Sequence, residues 1–538
     1  MSNSTIYIDK FAITNLPPGN LQPEFIFELP ELKYPEKLNC TTKLLDEQID
    51  LGHGDNIAVI GEHYQWSYAD LNAIANRIAN VLVDDMGLQT GNRVLLRAPN
   101  NPMLVACWLA VLKAGGIVVA TMPLMRSRDL KPVVDKAQVT MALCDSRLSD
   151  QLNKLTAERS SLETVMLFDS ISDDAQLNKL MAEKSSSFET TDTASDDVAL
   201  IAFTSGTTGL PKGCMHFHRD VISMAICFSQ NILKPTEKDI FIGTPPIAFT
   251  FGLGALVVFP LYAGAATVMV ENTTPNHLAR AMDKFKATIS FTSPTGYRSL
   301  MSLTQKSDLE SLRISVSAGE PLSAVTSNEW FKLTGIRLID GIGSTEMMHI
   351  FVSTSEQECR VGSTGRPIPG YQACVLDKDH QPATVGEEGF LAVKGPTGCR
   401  YLSDERQKEY VINGWNITGD IYSIDLDGYF WFKGRSDDII ISAGYNISGV
   451  EVENALLAHQ SVAECAVVGV PDSERGNLVK AYIVLNKSYT PGEELVAELK
   501  DFVKSEIAPY KYPRTIEFID DLPRTLTGKI QRYKLSGR

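Results

Sequence analysis

No excess of basic residues, no paired cysteines and no unbroken apolar span mark this chain, and each absence removes a class of function. Nine cysteines are scattered through 538 residues without a C-x-x-C pair. An odd, dispersed set fits buried free thiols in a reducing cytosol rather than a disulfide frame. Cys214 follows a glycine-rich loop, yet reads as a small packing residue rather than a nucleophile. The net charge of −15 argues against a nucleic-acid polyanion as partner. A single nucleotide, held by a local site, is not excluded. Residues 240–270 carry no charge and are long enough to span a membrane. Pro245, Pro246, Pro260, Gly243, Gly252, Gly254 and Gly264 break that stretch, which reads as a loop, a buried helix and a strand. Residues 1–20 lack a basic segment followed by an apolar core, so no secretory signal is expected. There is no internal repeat and no low-complexity tract. A cytoplasmic protein without a membrane span follows; a homodimer is neither required nor excluded.

What is present is ample core: 44% hydrophobic and 8% aromatic residues in a chain too long for one domain. Helical and strand periods alternate. Tyr68–Asp84 places apolar residues at helical spacing, 93–98 reads as a strand, 102–114 as a helix closed by Gly115-Gly116, and Ile117–Thr121 as the next strand. The alternation predicts an α/β fold with largely parallel sheets. The polar stretch 185–197 reads as a break between two subdomains, and the shorter, glycine-rich segments over about 360–434 as a smaller β-rich subdomain. From 437 to 538 a small α+β domain is expected, with helices over 450–459 and 495–507 and strands over 464–470 and 480–485.

The chemistry starts at Thr204. A strand-like apolar run over 198–203 leads into Thr204-Ser205-Gly206-Thr207-Thr208-Gly209-Leu210-Pro211-Lys212-Gly213. Glycines at 206, 209 and 213 let backbone approach a ligand, four hydroxyls supply donors, and Lys212 supplies a point charge. Such a turn suits polyphosphate. It is not the Walker pattern, because Pro211 precedes the lysine and Gly213 follows it.

Three further strings match this chemistry. Asp340-Gly341-Ile342-Gly343-Ser344-Thr345-Glu346 follows an apolar strand, so 341–343 is expected to turn at a strand end, where α/β sheets bind ligands. Thr345 can hydrogen-bond phosphate, and Glu346 offers a hard oxygen for Mg²⁺ on ATP. Asp420 in Ile417-Thr418-Gly419-Asp420 suits ribose hydroxyls, and Arg435 can donate a fork to ribose or α-phosphate. Lys529 in Leu526-Thr527-Gly528-Lys529 offers an ammonium for charge that builds on the α-phosphate in a transition state.

These four strings, in this order, resemble the adenylate-forming superfamily of acyl- and aryl-CoA synthetases, luciferases and peptide-synthetase adenylation domains. The resemblance covers nearly the whole chain. It implies acyl-adenylate formation from ATP with pyrophosphate leaving, then transfer of the acyl group to a thiol with AMP leaving. Lys212 would hold phosphate. Lys529, carried by a mobile C-terminal lid domain over 437–538, would be catalytic together with Thr345 and Glu346. Gly319, Glu320, Gly341, Ile342, Gly343 and Ser344 would join the nucleotide site of an N-terminal domain over 1–436. Asp437 would be the hinge, and Gly444 and Tyr445 would border the CoA channel. Two departures stand out: Ile342 replaces an aromatic that many members stack on adenine, and Asn477 follows Gly476 where Glu or Gln is common.

Phe249, Phe251, Gly252, Met347 and His349 fall where the superfamily builds its acid pocket, with Phe249 and Phe251 expected to form a flat slot. An amino-acid-loading domain would want an Asp near Phe249; none is there, and no carrier domain follows Arg538. The strings 215–220, 340–350, 401–406 and 508–513 most resemble ligases for benzoate and 2-aminobenzoate. The expected co-substrates are an aromatic acid, ATP with Mg²⁺, and CoA. Benzoate or hydroxybenzoate as substrate, loading of a carrier protein, and a silent nucleotide or aryl-acid sensor are the alternatives.

Overall fold

A computed structural model describes residues 5–158, 160–204, 211–442, 445–472, 475–525 and 530–536. The helix Tyr68–Asp84 begins where the sequence places it. Ser67 accepts a hydrogen bond from the Asp70 backbone, and Asp70 returns one from that of Ser67. Its apolar stripe of Leu71, Ala75, Ile78, Ala79 and Leu82 is buried. Pro102–Lys113 starts on a cap from Asn101 with Pro102 in the first turn, and every one of its residues is buried. That burial explains a helix with almost no polar face.

Two large sheets carry the N-terminal part. In one, Thr164–Phe168, Met141–Asp145, Arg93–Arg97, Ile117–Thr121 and Val198–Thr204 run parallel in that spatial order, and Lys212–Phe217 closes the edge antiparallel. In the other, Leu338–Gly343, Ile314–Ala318, Ile289–Thr292, Ile240–Gly243, Ala266–Val268 and Ile57–Ile60 form the parallel centre. The polar stretch 185–197 therefore does not divide one sheet from the next. Val198–Thr204 pairs with Ile117–Thr121 from before it, while Ile57–Ile60 joins the later sheet. Parallel pairing needs crossovers, so neighbours in a sheet are remote in sequence and a polar loop marks no boundary.

The β-rich part is antiparallel: Gln372–Leu376, Gly389–Lys394, Trp415–Ile424 and Phe430–Arg435. The last unit packs Gly449–Leu457 and Glu493–Glu506 on Val462–Asp472, Gly476–Leu485 and Thr515–Phe518. Its core draws only on residues from Ile440 onward, among them Val452, Leu456, Val467, Ile483 and Leu499.

The uncharged stretch 240–270 opens with the strand Ile240–Gly243 rather than a loop, continues as helical turns over 250–262, and ends in the strand Ala266–Val268. Among the described residues no helix is long and apolar enough to cross a membrane. All nine cysteines are free, and Cys214 is buried against Cys399, Tyr401 and Val411.

Candidate functional site

Thr204 and Lys212 face each other at the end of an antiparallel pair, so the glycine-rich segment connects two hydrogen-bonded strands. Ser205, Gly206, Thr207, Thr208 and Gly209 lie outside the described residues. The second strand, Lys212–Phe217, was not legible in the sequence. It aims Lys212 at Tyr401, whose hydroxyl lies 3.4 Å from Lys212 Nζ.

Tyr401 ties that lysine to the second motif. Its hydroxyl donates to Glu346 Oε1 at 2.5 Å. Burial, with the Glu346 carboxylate second, pushes the Tyr401 hydroxyl far above the usual tyrosine range, so it stays a donor. His216 Nε2 lies 2.8 Å from the Thr345 carbonyl. Burial opposes a charge on His216, but Cys214 and Asp220 outweigh it and raise the ring to about 9. A protonated ring donates to Thr345 and steadies the turn that holds Glu346. Tyr410 Oη stands 3.4 Å from Ser344 Oγ. The two tyrosines were missed as site residues; the string 401–406 served only as a mark of family likeness. Tyr401→Phe is expected to lower kcat/KM for ATP by about tenfold, since a hydrogen bond to a charged group is worth ~1.5 kcal/mol or more. Initial rates against ATP at saturating acid measure it.

The turn expected at 341–343 is displaced. The strand Leu338–Gly343 runs through all three residues and pairs with Ile350–Ser353, and the chain reverses after Gly343. Met348 takes φ 70° in that reversal. Gly341 is needed within the strand because a Cβ there would meet the Ile350 side chain at 2.8 Å. Ile342 is half-buried against the main core.

Asp340, in the same strand, has an enclosed Oδ1 with no hydrogen-bond partner among the described residues. Burial raises its carboxyl to about 7, with the Gly341 backbone N–H working the other way. An unfolded Asp titrates near ~3.9, so the folded chain keeps a proton that the unfolded chain loses between those values. This contribution is full below about 4 and is lost as pH rises through about 7. Asp340→Asn should flatten that slope. In melting curves from pH 4 to 8, the variant's Tm should gain on the natural protein's up to about pH 7, the Asp340 value, and then hold its lead.

Asp420 and Arg435 are brought together. They are direct partners across antiparallel strands, and Arg435 Nη1 donates to Asp420 Oδ1 at 3.0 Å and to the Thr418 carbonyl at 2.9 Å. Gly319 takes φ +90° after the strand Ile314–Ala318. Glu320 Oε2 accepts from the Thr295 N–H at 3.2 Å and its hydroxyl at 2.7 Å. Lys529 and Gly444 lie outside the described residues. Asp437 falls in the short turn Ser436–Asp438 directly after Arg435. Tyr445 is exposed and rests on Tyr510, ring centroids 4.7 Å apart.

The expected acid pocket separates into two places. His349 sits in a ring cluster, 4.7 Å from Phe259, 5.5 Å from Phe228 and 5.6 Å from Phe251. Phe249 instead lines a small apolar cavity with Trp108, Val118, Leu200 and Leu253, so the two phenylalanines meet different surroundings. Met347 is fully buried, its carbonyl accepting from Thr397 at 2.7 Å. Gly252 packs so tightly that a Cβ would lie 2.1 Å from the Pro246 carbonyl oxygen, and one on Gly254 would lie 2.5 Å from His349 Cδ2. Phe228, Phe259 and Gly254 carried no sequence signal beyond a generally apolar stretch. His349 Nδ1 and Nε2 are both buried without a well-formed hydrogen bond among the described residues, the Phe251 backbone being a polar group that reaches the ring. Burial drives the ring down to about 3, so it is neutral near pH 7.

Residues 45–401 match the family described as AMP-binding enzyme, and residues 451–529 match the AMP-binding enzyme C-terminal domain. The chain belongs to the AMP-binding enzyme family. It is 34% identical to benzoate–CoA ligase of Thauera aromatica over 94% of this chain and 97% of that enzyme. It is 33% identical to the mouse mitochondrial acyl-coenzyme A synthetase ACSM3, over 94% of this chain and 91% of that one. Among solved structures, an anthranilate CoA ligase, AuaEII, in complex with anthranoyl-AMP superposes with a TM-score of 0.90 at 30% identity, covering 95% of this chain and 98% of that one.

For an AMP-binding enzyme, the donors around Glu346 suit a hard cation. A carboxylate beside the Ser344 and Thr345 hydroxyls is oxygen-only, as Mg²⁺ requires. No group of three or more His, Cys, Asp or Glu side chains among the described residues could hold a metal by itself.

Proposed function

We propose that this chain is an AMP-forming aryl-acid–CoA ligase whose acid is 2-aminobenzoate. The acid's carboxylate oxygen attacks the α-phosphorus of ATP, forming the aryl-adenylate as pyrophosphate leaves. The thiol of CoA then attacks the acyl carbon, forming the thioester as AMP leaves. Lys212 and the loop after Thr204 hold the departing phosphates, Asp420 and Arg435 hold ribose, and Lys529 meets the charge developing on the α-phosphate. Mg²⁺ bound through Glu346 would neutralise charge on the β- and γ-phosphates. Nine free thiols fit a reducing cytosol as the place of action.

The observation that carries the choice of acid is His349. A neutral imidazole buried in a ring of phenylalanines, with no well-formed hydrogen bond and only the Phe251 backbone reaching it among the described residues, is costly by ~1–3 kcal/mol for an unsatisfied group. A flat acid bearing an ortho-amine offsets that cost by donating an N–H to the ring while its own face packs on the phenylalanines. The AuaEII structure holds anthranoyl-AMP in the same fold.

The test is a panel of 2-aminobenzoate, benzoate, 2-hydroxybenzoate and a short fatty acid, read by pyrophosphate release and thioester formation. 2-Aminobenzoate should lead benzoate by at least tenfold in kcat/KM, and His349→Phe should erase that lead. A preference for the fatty acid contradicts the aryl reading. Unchanged discrimination in His349→Phe contradicts the assigned contact.

A further inference from the structure

We infer that Arg524 is a positioning residue that clasps the C-terminal unit onto the nucleotide site for the first half-reaction. The inference rests on the two-step ligase reading above. Arg524 lies at the base of the segment that carries Lys529. It forms an isolated bridge with Ile530, and the Gln531 N–H donates to the Pro523 carbonyl at 2.8 Å, so residues 523–524 and 530–531 are held side by side.

Two ties hold this segment to its own unit. Arg524 Nη2 donates to Glu464 Oε2 at 2.5 Å, on the strand Val462–Asp472. Arg532 donates to both oxygens of buried Glu453, at 2.8 and 2.9 Å, and Glu453 also accepts from the Val467 N–H. A third tie leaves the unit: Arg524 Nη1 reaches Glu320 Oε1 at 3.4 Å. Glu320 is fixed for that contact, because Thr295 donates twice to its other oxygen and Arg298 Nη2 donates to Thr295 Oγ1 at 2.8 Å.

One guanidinium thus spans a carboxylate of each unit, which the planar fork of arginine suits and a single ammonium does not. Both members of the Arg524–Glu320 pair are largely shielded, their side chains 21% and 15% exposed. If the C-terminal unit turns away for thiol attack, Arg524–Glu464 and Arg532–Glu453 travel with it. Of these three ties, Arg524–Glu320 is the one that must break. The pair therefore favours the arrangement that holds the base of the Lys529 segment at Glu320, and with it adenylation rather than thioester formation.

The test separates the half-reactions in Arg524→Gln and Arg524→Lys. In single turnover without CoA, Arg524→Gln should form adenylate at least tenfold more slowly, and Arg524→Lys should recover part of the loss. With preformed 2-aminobenzoyl-adenylate and CoA, thioester formation should stay within twofold of the natural protein. Limited proteolysis of the substrate-free protein gives a second readout. Cleavage between residues 436 and 450 should quicken at least threefold in Arg524→Gln with Tm unchanged. Equal slowing of both half-reactions, or unaltered adenylation, overturns the inference. A natural protein that forms no adenylate from any acid contradicts the ligase reading instead. In that case the proteolysis rate alone decides the clasp, and an unchanged rate overturns it.

Discussion

Lys529→Ala is expected to lower acid-dependent pyrophosphate release by on the order of 10²–10³-fold, the scale on which loss of one preorganised donor to a developing charge is felt. The same change leaves thioester formation from supplied aryl-adenylate close to the natural rate, since no charge then builds on phosphorus against that ammonium. Lys212→Ala behaves differently. Lys212 Nζ sits at the strand end beside Tyr401, 5.2 Å from the ring centroid, in the network that reaches Glu346. Its removal weakens ATP binding, raising KM for ATP before it lowers kcat. Rapid-quench measurement of pyrophosphate against ATP concentration distinguishes the two lysines.

Arg400→Ala is expected to destabilise the protein by ~3–5 kcal/mol, because it strands a buried carboxylate. Arg400 and Asp220 are both fully buried, with Nη1 donating to Asp220 Oδ2 at 2.7 Å. The guanidinium also lies over Phe217, 3.9 Å from its ring centroid, and over Phe25 at 4.3 Å. Burial alone would raise the Asp220 carboxyl, but Arg400 and then His216 overrule it and hold it at about 2. A depressed carboxylate stabilises the fold above its unfolded value of ~3.9, and that contribution is lost as pH falls toward about 2. The urea midpoint at pH 7.5 measures the loss in Arg400→Ala. The double variant Arg400→Met with Asp220→Leu is expected to recover part of it, because both charges of the pair are removed together while His216 and the Phe217 N–H lose Asp220 as a partner. Arg400 lies within the β-rich part, between the strands Gly389–Lys394 and Trp415–Ile424, and Asp220 lies in the first turn of the helix His218–Met224, so the pair fastens that part to the edge of the parallel sheet.

Local signals carried much of the fold. The helix Tyr68–Asp84 was legible to the residue because its apolar spacing and its Ser67 cap agree. The strands and helices of the last hundred residues shifted by three residues or fewer at the N-terminal ends of Gly449–Leu457, Val462–Asp472 and Glu493–Glu506, and by four at that of Gly476–Leu485. The nucleotide motifs were legible because their chemistry is written in contiguous strings. What escaped depends on contacts between distant residues. Glu346 and Tyr401 are 55 positions apart and meet only once Cys214 bridges to Tyr401 beside the sheet edge. The return strand Lys212–Phe217 has no turn chemistry that distinguishes it from a phosphate loop. The polar stretch 185–197 looked like a boundary because sequence records composition and not which parallel strands pair. Phe249 and Phe251 meet different surroundings because Phe249 precedes the first helical turn and Phe251 lies within it.

The central claim is that the acid is activated as an adenylate before any thiol is involved. Exchange of labelled pyrophosphate into ATP, measured without CoA and with and without 2-aminobenzoate, tests it most directly. The account predicts exchange that requires the acid, proceeds without CoA, and is nearly abolished in Lys529→Ala. Exchange that ignores the acid, or that appears only when CoA is added, would contradict it.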